Sequence, residues 1–110
     1  RALVGGIREG LYVADGEGRL LDVNAAFAAL VGATEPAQLV GRRLADLMAD
    51  AAERERSLAA AASGSTTEAE VALLAPDGGS VPALERVTVL RQADGTVRRL
   101  GVVQALGAAM

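Results

Sequence analysis

Glu85 is the polar residue whose place in the sequence is most unusual. It shares one phase of a predicted strand with four apolar residues, which are Val81, Ala83, Val87 and Val89. A buried carboxylate costs free energy unless it is paired. Arg86 points to the opposite face of a strand, whereas Arg98 or Arg99 on the next strand could pair with Glu85 across the turn. We expect an exposed sheet face that carries Glu85, with a ligand contact or a polar dimer contact as the alternatives.

Tyr12 is the only tyrosine of the chain, and Phe27 is the only phenylalanine. The Tyr12 hydroxyl could donate a hydrogen bond to a ligand held between the sheet and the helices. The alternative is a ring packed in the core, with its hydroxyl directed to water or to the backbone. We expect the second arrangement, and we expect Phe27 in the core.

Two other groups of charged residues are candidates for binding ions. Arg42 and Arg43 follow Gly41 and could hold an anion, but we expect a solvated surface pair. Asp15 and Asp22 flank a predicted turn, and no third oxygen ligand lies at a spacing that a hard cation needs. We therefore expect no metal site.

The absent residue types exclude several kinds of chemistry. The chain has no cysteine, which removes thiol nucleophiles, thiolate metal ligands and flavin–cysteinyl adducts. It has no histidine, which removes the usual haem ligand and the commonest general base. The serines of the chain therefore lack a histidine base, and we expect this domain not to be an enzyme.

The first half of the sequence indicates a hairpin followed by short helices. We expect an N-terminal segment over residues 1–9 and a first hairpin over 10–24, with a glycine-rich turn at 15–18. Asn24 is a good N-cap, because its side-chain oxygen can accept a backbone N–H of the first helical turn. The helical region is expected over residues 25–64.

The longest helix of this region is expected to begin at Asp50, where Glu53 completes a capping-box pattern, and to end at Gly64. Leu58 lies on its inner stripe. Arg54 is expected mostly on the side that faces solvent.

The second half changes to a period of two residues, which is typical of strands. Glycine-rich turns separate three such runs, so we expect an antiparallel three-strand meander over residues 67–106. The economical arrangement is an α+β fold with one five-stranded antiparallel sheet and short helices packed on one face. The other face then needs the terminal segments or a partner chain as a cover.

Size and composition set further limits. The 110 residues correspond to one domain, and a net charge of -3 with 2% aromatic residues disfavours nucleic-acid binding. No run of about 20 apolar residues is present, so we expect no membrane insertion by this domain. The sequence begins at Arg1, which we interpret as a piece excised from a larger protein.

The order of these motifs resembles that of PAS domains. The hairpin LYVADGEGRLLDVN is similar to the family's opening two strands, and GATEPAQLVGR is similar to its Gly-x-Ser/Thr-x-Glu-Glu-Leu-x-Gly-Arg segment. The turns in APDGGSVP and RQADGTVRR fall where the family has its strand meander. Two stretches depart from the family: Pro36-Ala37 replaces the acidic pair, and Ala105-Leu106-Gly107 stands where Asp-Ile-Thr is common.

The resemblance implies a sensory module of a bacterial signalling protein that carries its effector domain in the same chain. A sensor histidine kinase is the expected parent, and a diguanylate cyclase or other regulator is the alternative. The implied mechanism is a change of packing and dimerisation on binding a ligand or partner. Cofactor-bearing members use a histidine or a cysteine, so we expect no haem or flavin. The implied location is the cytoplasm, including the cytosolic part of a membrane-anchored protein.

This interpretation predicts two binding surfaces. A small apolar ligand would lie in a pocket between helices and sheet, lined by Leu11, Tyr12, Val13, Phe27, Leu30, Leu47, Met48, Val71, Leu73 and Val89. A homodimer would form through Leu3, Val4 and Ile7 of the N-terminal segment together with Glu85. An N-terminal segment that packs on its own domain remains open, as do a small-molecule enzyme and a pure spacer.

Overall fold

The computed structural model describes residues 9–106. Its strands are β1 (Gly10–Asp15), β2 (Leu20–Val23), β3 (Thr66–Leu74), β4 (Ser80–Arg91) and β5 (Val97–Ala105). Its α-helices are α1 (Ala25–Leu30) and α2 (Ala51–Ala59), and two 3₁₀ turns span Pro36–Gln38 and Leu44–Leu47. Leu3, Val4 and Ile7, which are predicted to contact a second copy, lie outside the described residues.

The five strands form one antiparallel sheet in the order β2-β1-β5-β4-β3. The first hairpin is at one edge, β3 is at the other, and β5 runs in the centre between β1 and β4. The helical segments lie between β2 and β3 in the sequence and pack on one face of the sheet. The predicted α+β fold class is confirmed.

Asn24 fixes the start of α1 and ties it to the hairpin. Its side-chain Oδ1 accepts hydrogen bonds from the backbone N–H of Phe27 and of Leu11, each at 2.9 Å. Its Nδ2 donates to the carbonyl of Glu9 at 3.2 Å. The N-cap prediction is confirmed, and the Phe27 ring on this helix is fully buried.

The predictions for α2 need two corrections. Asp50 has a left-handed backbone with φ of 53° and makes no side-chain cap hydrogen bond, so no capping box forms there. The helix ends at Ala59 and does not reach Gly64. The reason is that the following residues pair with β4: the Gly64 N–H donates to the Val89 carbonyl at 2.6 Å.

The predicted pocket includes Leu11, Tyr12 and Val13, but successive residues of β1 face opposite sides of the sheet, so they do not all line one pocket. Tyr12 and Ala14 face the helices, whereas Leu11 is 44% exposed on the other face and does not line an interior pocket. Both phases of this strand are apolar, so alternation alone does not distinguish them. We call the uncovered surface the open face; its apolar members are Leu11, Val13, Leu84, Leu90, Leu100 and Val102.

Within residues 9–106, no helix is both long enough and apolar enough to cross a membrane.

Candidate functional site

A buried ion pair joins α2 to the middle of the sheet. The Arg54 guanidinium donates to both carboxylate oxygens of Glu85, from Nε to Oε1 and from Nη2 to Oε2, each at 2.6 Å. The Tyr12 hydroxyl donates to Glu85 Oε2 at 2.5 Å and accepts from Arg54 Nη2 at 2.9 Å. Glu85 and Tyr12 are each only 3% exposed. Three elements therefore meet at one carboxylate.

The network continues toward the turn of the first hairpin. Arg54 Nη1 donates to Glu55 Oε2 at 2.8 Å, and Arg99 Nη1 reaches both oxygens of the same carboxylate at 3.1 Å. Arg99 Nη2 then donates to the Gly16 carbonyl at 2.8 Å. Two arginines and two glutamates thus balance each other in charge, which is the condition under which buried charges are tolerated.

Burial and charge together fix the protonation states at the centre of this network. Burial raises the pKa of Tyr12 well above its usual value, and the negative charge of Glu85 raises it further. Burial opposes the charge on Arg54, but the hydrogen bonds and the attraction of Glu85 outweigh burial and raise the pKa of Arg54. At neutral pH, Tyr12 is therefore a neutral donor and Arg54 is a cation.

The backbone positions the three groups through simple strand and helix periodicity. Residues 12 and 85 occupy core-facing positions of β1 and β4, and Gly101 on β5 lies between them. Because Gly101 has no side chain, the Tyr12 ring occupies the space above it; an added Cβ would overlap the ring. On its other side the ring packs against Phe27, with centroids 5.6 Å apart and a tilt of 57°.

A cleft of about 550 Å³ opens beside this network, between α2 and β3. Its apolar wall includes Leu58, Val71 and Val87, and its floor includes Arg54 and Glu85. Its rim carries two more carboxylates, Asp50 and Glu53. A second and more open cleft of about 430 Å³ lies at the far end of the helical layer, beside Pro76 and Arg42.

The residues of the predicted apolar pocket take different places. Most of them belong to the packed core: Tyr12, Phe27, Leu47, Met48, Leu73 and Val89. Leu30 and Val71 pack at the edge of the core, and Val71 also lines the α2–β3 cleft. Leu11 lies on the open face and Val13 shares that face. A ligand contact for these residues stays a prediction.

Glu85 requires a correction. It lies inside the domain and not on the open face, so a contact with a second copy does not fit its burial. Its partner is Arg54, and the predicted partner Arg99 binds Glu55 and Gly16. The Tyr12 hydroxyl likewise binds side chains, not water or backbone.

Arg54 is the functional residue that sequence reasoning missed. It was expected on the solvent side of the helix, yet it reaches the sheet. A signal was present, because Arg54 lies four residues before Leu58 and positions i and i+4 share one face of a helix. The shared face of Arg54 and Leu58 places the arginine on the side of α2 that packs on the sheet.

The other charged candidates lie at the surface. Arg42 and Arg43 are exposed. Asp15 accepts backbone hydrogen bonds from Glu17 and Arg19 within its turn, each at 2.9 Å. Among residues 9–106, no group of three or more acidic, histidine or cysteine side chains is arranged to hold a metal ion.

Comparison with known proteins places this geometry in a family. The profile of the family described as the PAS fold matches residues 5–105. No curated protein matches the chain. The chain is similar to a solved PAS domain of an HTR-like protein from Haloarcula marismortui, with 20% identity and a TM-score of 0.79 over 96% of this chain and 87% of that one.

Two further solved structures show the breadth of the likeness. A domain of a sensory box sensor histidine kinase/response regulator from Geobacter sulfurreducens has 22% identity and a TM-score of 0.71, over 94% of this chain and 89% of that one. The Drosophila melanogaster Cycle PAS-B domain with bound ethylene glycol has 11% identity and a TM-score of 0.75, over 88% and 99%. At such identities the likeness shows a shared fold.

The family profile covers nearly all of the sequence, and the sheet and helices superpose on solved PAS domains over most of their length. Domains with this fold are generally sensory, non-catalytic modules of signalling proteins. The chain belongs to the PAS fold family.

Proposed function

We propose that this PAS domain is a non-catalytic sensory and interaction module that regulates an effector domain in the same chain. The observation that carries the proposal is the attachment of α2. This helix buries only Leu58 completely, and its other links to the sheet are ionic: Arg54 pairs with Glu85, and Glu55 pairs with Arg99. A segment with little apolar burial opens at a low free-energy cost. A ligand or partner that binds either the open or the closed arrangement of α2 more tightly then increases the population of that arrangement.

The expected parent is a bacterial sensor histidine kinase. Solved neighbours from a Geobacter sensor histidine kinase/response regulator and from a two-component sensor histidine kinase support this choice. A diguanylate cyclase or other regulator that uses the domain only as a dimerisation scaffold is the alternative. No haem or flavin–cysteinyl adduct is expected, because the chain has no histidine and no cysteine. The expected location is the cytoplasm, including the cytosolic part of a membrane-anchored protein.

The open face is the expected dimer surface. Leu11, Leu90 and Leu100 are 44%, 37% and 40% exposed there, and they come from the adjacent strands β1, β4 and β5. A contiguous exposed apolar surface of this kind is typical of protein interaction sites. The predicted contribution of Leu3, Val4 and Ile7 to the same dimer stays part of the proposal.

Sedimentation equilibrium tests the dimer at micromolar to high micromolar protein concentration. Leu100→Glu places a charge at the centre of the open face and is expected to weaken self-association at least about tenfold. Val40→Glu is the matched control, because Val40 is a 49% exposed apolar residue on a loop outside the sheet. A wild-type monomer at high micromolar concentration, or equal effects of the two substitutions, would contradict the dimer.

Native mass spectrometry of protein purified from its own host tests the sensory part. A small molecule that copurifies at one copy per domain supports a sensor. The scaffold alternative predicts the mass of the bare chain together with intact dimerisation. Sequencing of the coding region on both sides of this domain tests the proposal of an effector domain in the same chain.

A further inference from the structure

We propose that the α2–β3 cleft binds a small organic cation with a planar guanidinium or amidinium head, which takes the place of Arg54 against Glu85 and Tyr12. The inference rests on the proposed sensory function and names the ligand class for it.

Glu85 already holds a planar cation, the guanidinium of Arg54. Two parallel hydrogen bonds of 2.6 Å from Arg54 to one carboxylate are the geometry that a planar guanidinium prefers. The Tyr12 oxygen accepts a third bond from the same guanidinium. Glu85 is 3% exposed, so these acceptors form a preorganised receptor for a flat, multidentate cation. A compact ammonium ion cannot reproduce the paired bonds.

The cleft that reaches this receptor is lined by charged residues. Arg54 and Glu85 line its floor, and Asp50 and Glu53 line its rim. Within residues 9–106, neither of the two rim carboxylates forms an ion pair. The lining therefore carries a clear excess of negative charge, which attracts a cation and repels an anion.

The ligand displaces Arg54 from Glu85 and Tyr12. Arg54 is carried by a nine-residue helix whose only completely buried residue is Leu58. The carboxylate and the hydroxyl, in contrast, belong to β4 and β1 and are fixed by the sheet. The alkyl part of a ligand would lie on the apolar wall that Leu58, Val71 and Val87 provide. Arg54 thus acts as a tethered competitor, and its release removes one of the two ionic contacts between α2 and the sheet, the other being Glu55–Arg99.

The direct test is a titration of isotope-labelled protein with butylguanidinium, followed by nuclear magnetic resonance. Butylammonium is the control for charge without the planar fork, butyrate is the control for charge sign, and butanol is the control for a purely apolar ligand. Because the tethered competitor lowers the apparent affinity of the wild type, Arg54→Ala is expected to bind butylguanidinium at least about tenfold more tightly. The amide shifts should map to α2, β3 and β4.

Arg56→Ala is the matched variant, because Arg56 is an exposed arginine on the same helix and does not line the cleft. It is expected to bind butylguanidinium as the wild type does. Arg54→Gln is the second variant; it retains a good helix former and is too short to make the paired bonds, so it tests the proposal if Arg54→Ala fails to fold. Arg54→Gln is also expected to bind butylguanidinium more tightly than the wild type does.

Three results would overturn the proposal. The first is equal affinity of the wild type and the Arg54 variants for butylguanidinium. The second is an affinity for butylammonium or butanol that equals the affinity for butylguanidinium. The third is a set of amide shifts that lies outside the cleft. Sedimentation of the same samples separates this failure from failure of the proposed function. Absent binding with intact dimerisation rejects the ligand class alone, whereas loss of both rejects the sensory and interaction role.

Discussion

Gly101 on β5 lies directly opposite Tyr12 on β1, and the tyrosine ring fills the space that a side chain at position 101 would occupy. The ring is thereby pressed between the sheet and Phe27 on α1. This contact aims the hydroxyl at Glu85. A glycine on a central strand therefore sets the geometry of a polar network several residues away.

Gly101→Ala is expected to lower the free energy of unfolding by about 2 to 3 kcal/mol, because the added methyl group overpacks a rigid interior. Urea unfolding followed by tyrosine fluorescence measures it, since Tyr12 is the only tyrosine and no tryptophan is present. Gly79→Ala is the control: its Cβ would lie 3.2 Å from an oxygen of the exposed Asp77 side chain, and it should change stability by less than about 0.5 kcal/mol. Equal losses at the two positions would refute the packing explanation.

The raised pKa of Tyr12 predicts a specific loss of stability in alkali. In the unfolded chain the phenol titrates near its usual pKa of 10.0, whereas in the folded chain burial and then Glu85 raise that pKa. Above about pH 10 the unfolded state therefore binds fewer protons than the folded state, and stability falls as pH rises toward the folded pKa. Below about pH 10 this contribution is fully present.

Tyr12→Phe tests this assignment cleanly, because the chain contains no lysine and no cysteine that would titrate in the same range. At neutral pH the variant should lose about 1 to 2 kcal/mol, since Glu85 then lacks one donor. Between about pH 9 and 11 its unfolding free energy should change much less than that of the wild type. A tyrosinate absorbance titration of the folded wild type with a midpoint at or below the usual pKa would disagree with the structure.

The fold could be predicted because its signals are local. Glycine-rich turns bound the strands, and Asn24 marks the start of α1 through a bond to Phe27 three residues away. The phase of β1 could not be predicted, because Leu11 and Tyr12 are both suited to burial. The choice depends on Gly101, which is remote in sequence and accepts the tyrosine ring.

The site could be predicted only in part, because its key contacts join distant segments. Glu85 was recognised as unusual, but its partner Arg54 lies 31 residues earlier on a helix. The alternation of residues along a strand indicates partners on the neighbouring strand, such as Arg99, and does not indicate a partner on a helix. A long side chain on a helix can reach a strand on the other side of the core. Only the packing of α2 on the sheet determines which residue of the helix reaches Glu85.

Asn24→Ala is expected to cost about 1 to 2 kcal/mol of stability, because it removes an N-cap that also binds the Leu11 N–H. Asn24→Asp keeps both accepting bonds and loses only the 3.2 Å bond to the Glu9 carbonyl, so it should cost clearly less. Thermal and urea unfolding of the two variants measure the difference. Equal costs would show that the cap contributes little.

The attachment of α2 is tested by a double-mutant cycle on Arg54 and Glu85. Arg54→Met and Glu85→Gln each leave one charged or polar partner buried without its counterpart, and each is expected to cost about 3 kcal/mol or more. Arg86 and Glu68 provide the control cycle, since this pair is separated by 3.3 Å and both side chains are about half exposed. Its coupling energy is expected to stay below about 0.5 kcal/mol.

The coupling energy between Arg54 and Glu85, obtained from the unfolding free energies of the wild type, both single variants and the double variant, is the most direct measurement of the claim that an ion pair fastens α2 to the sheet. We predict a coupling of about 2 kcal/mol or more. A coupling no larger than that of Arg86 and Glu68 would contradict the claim.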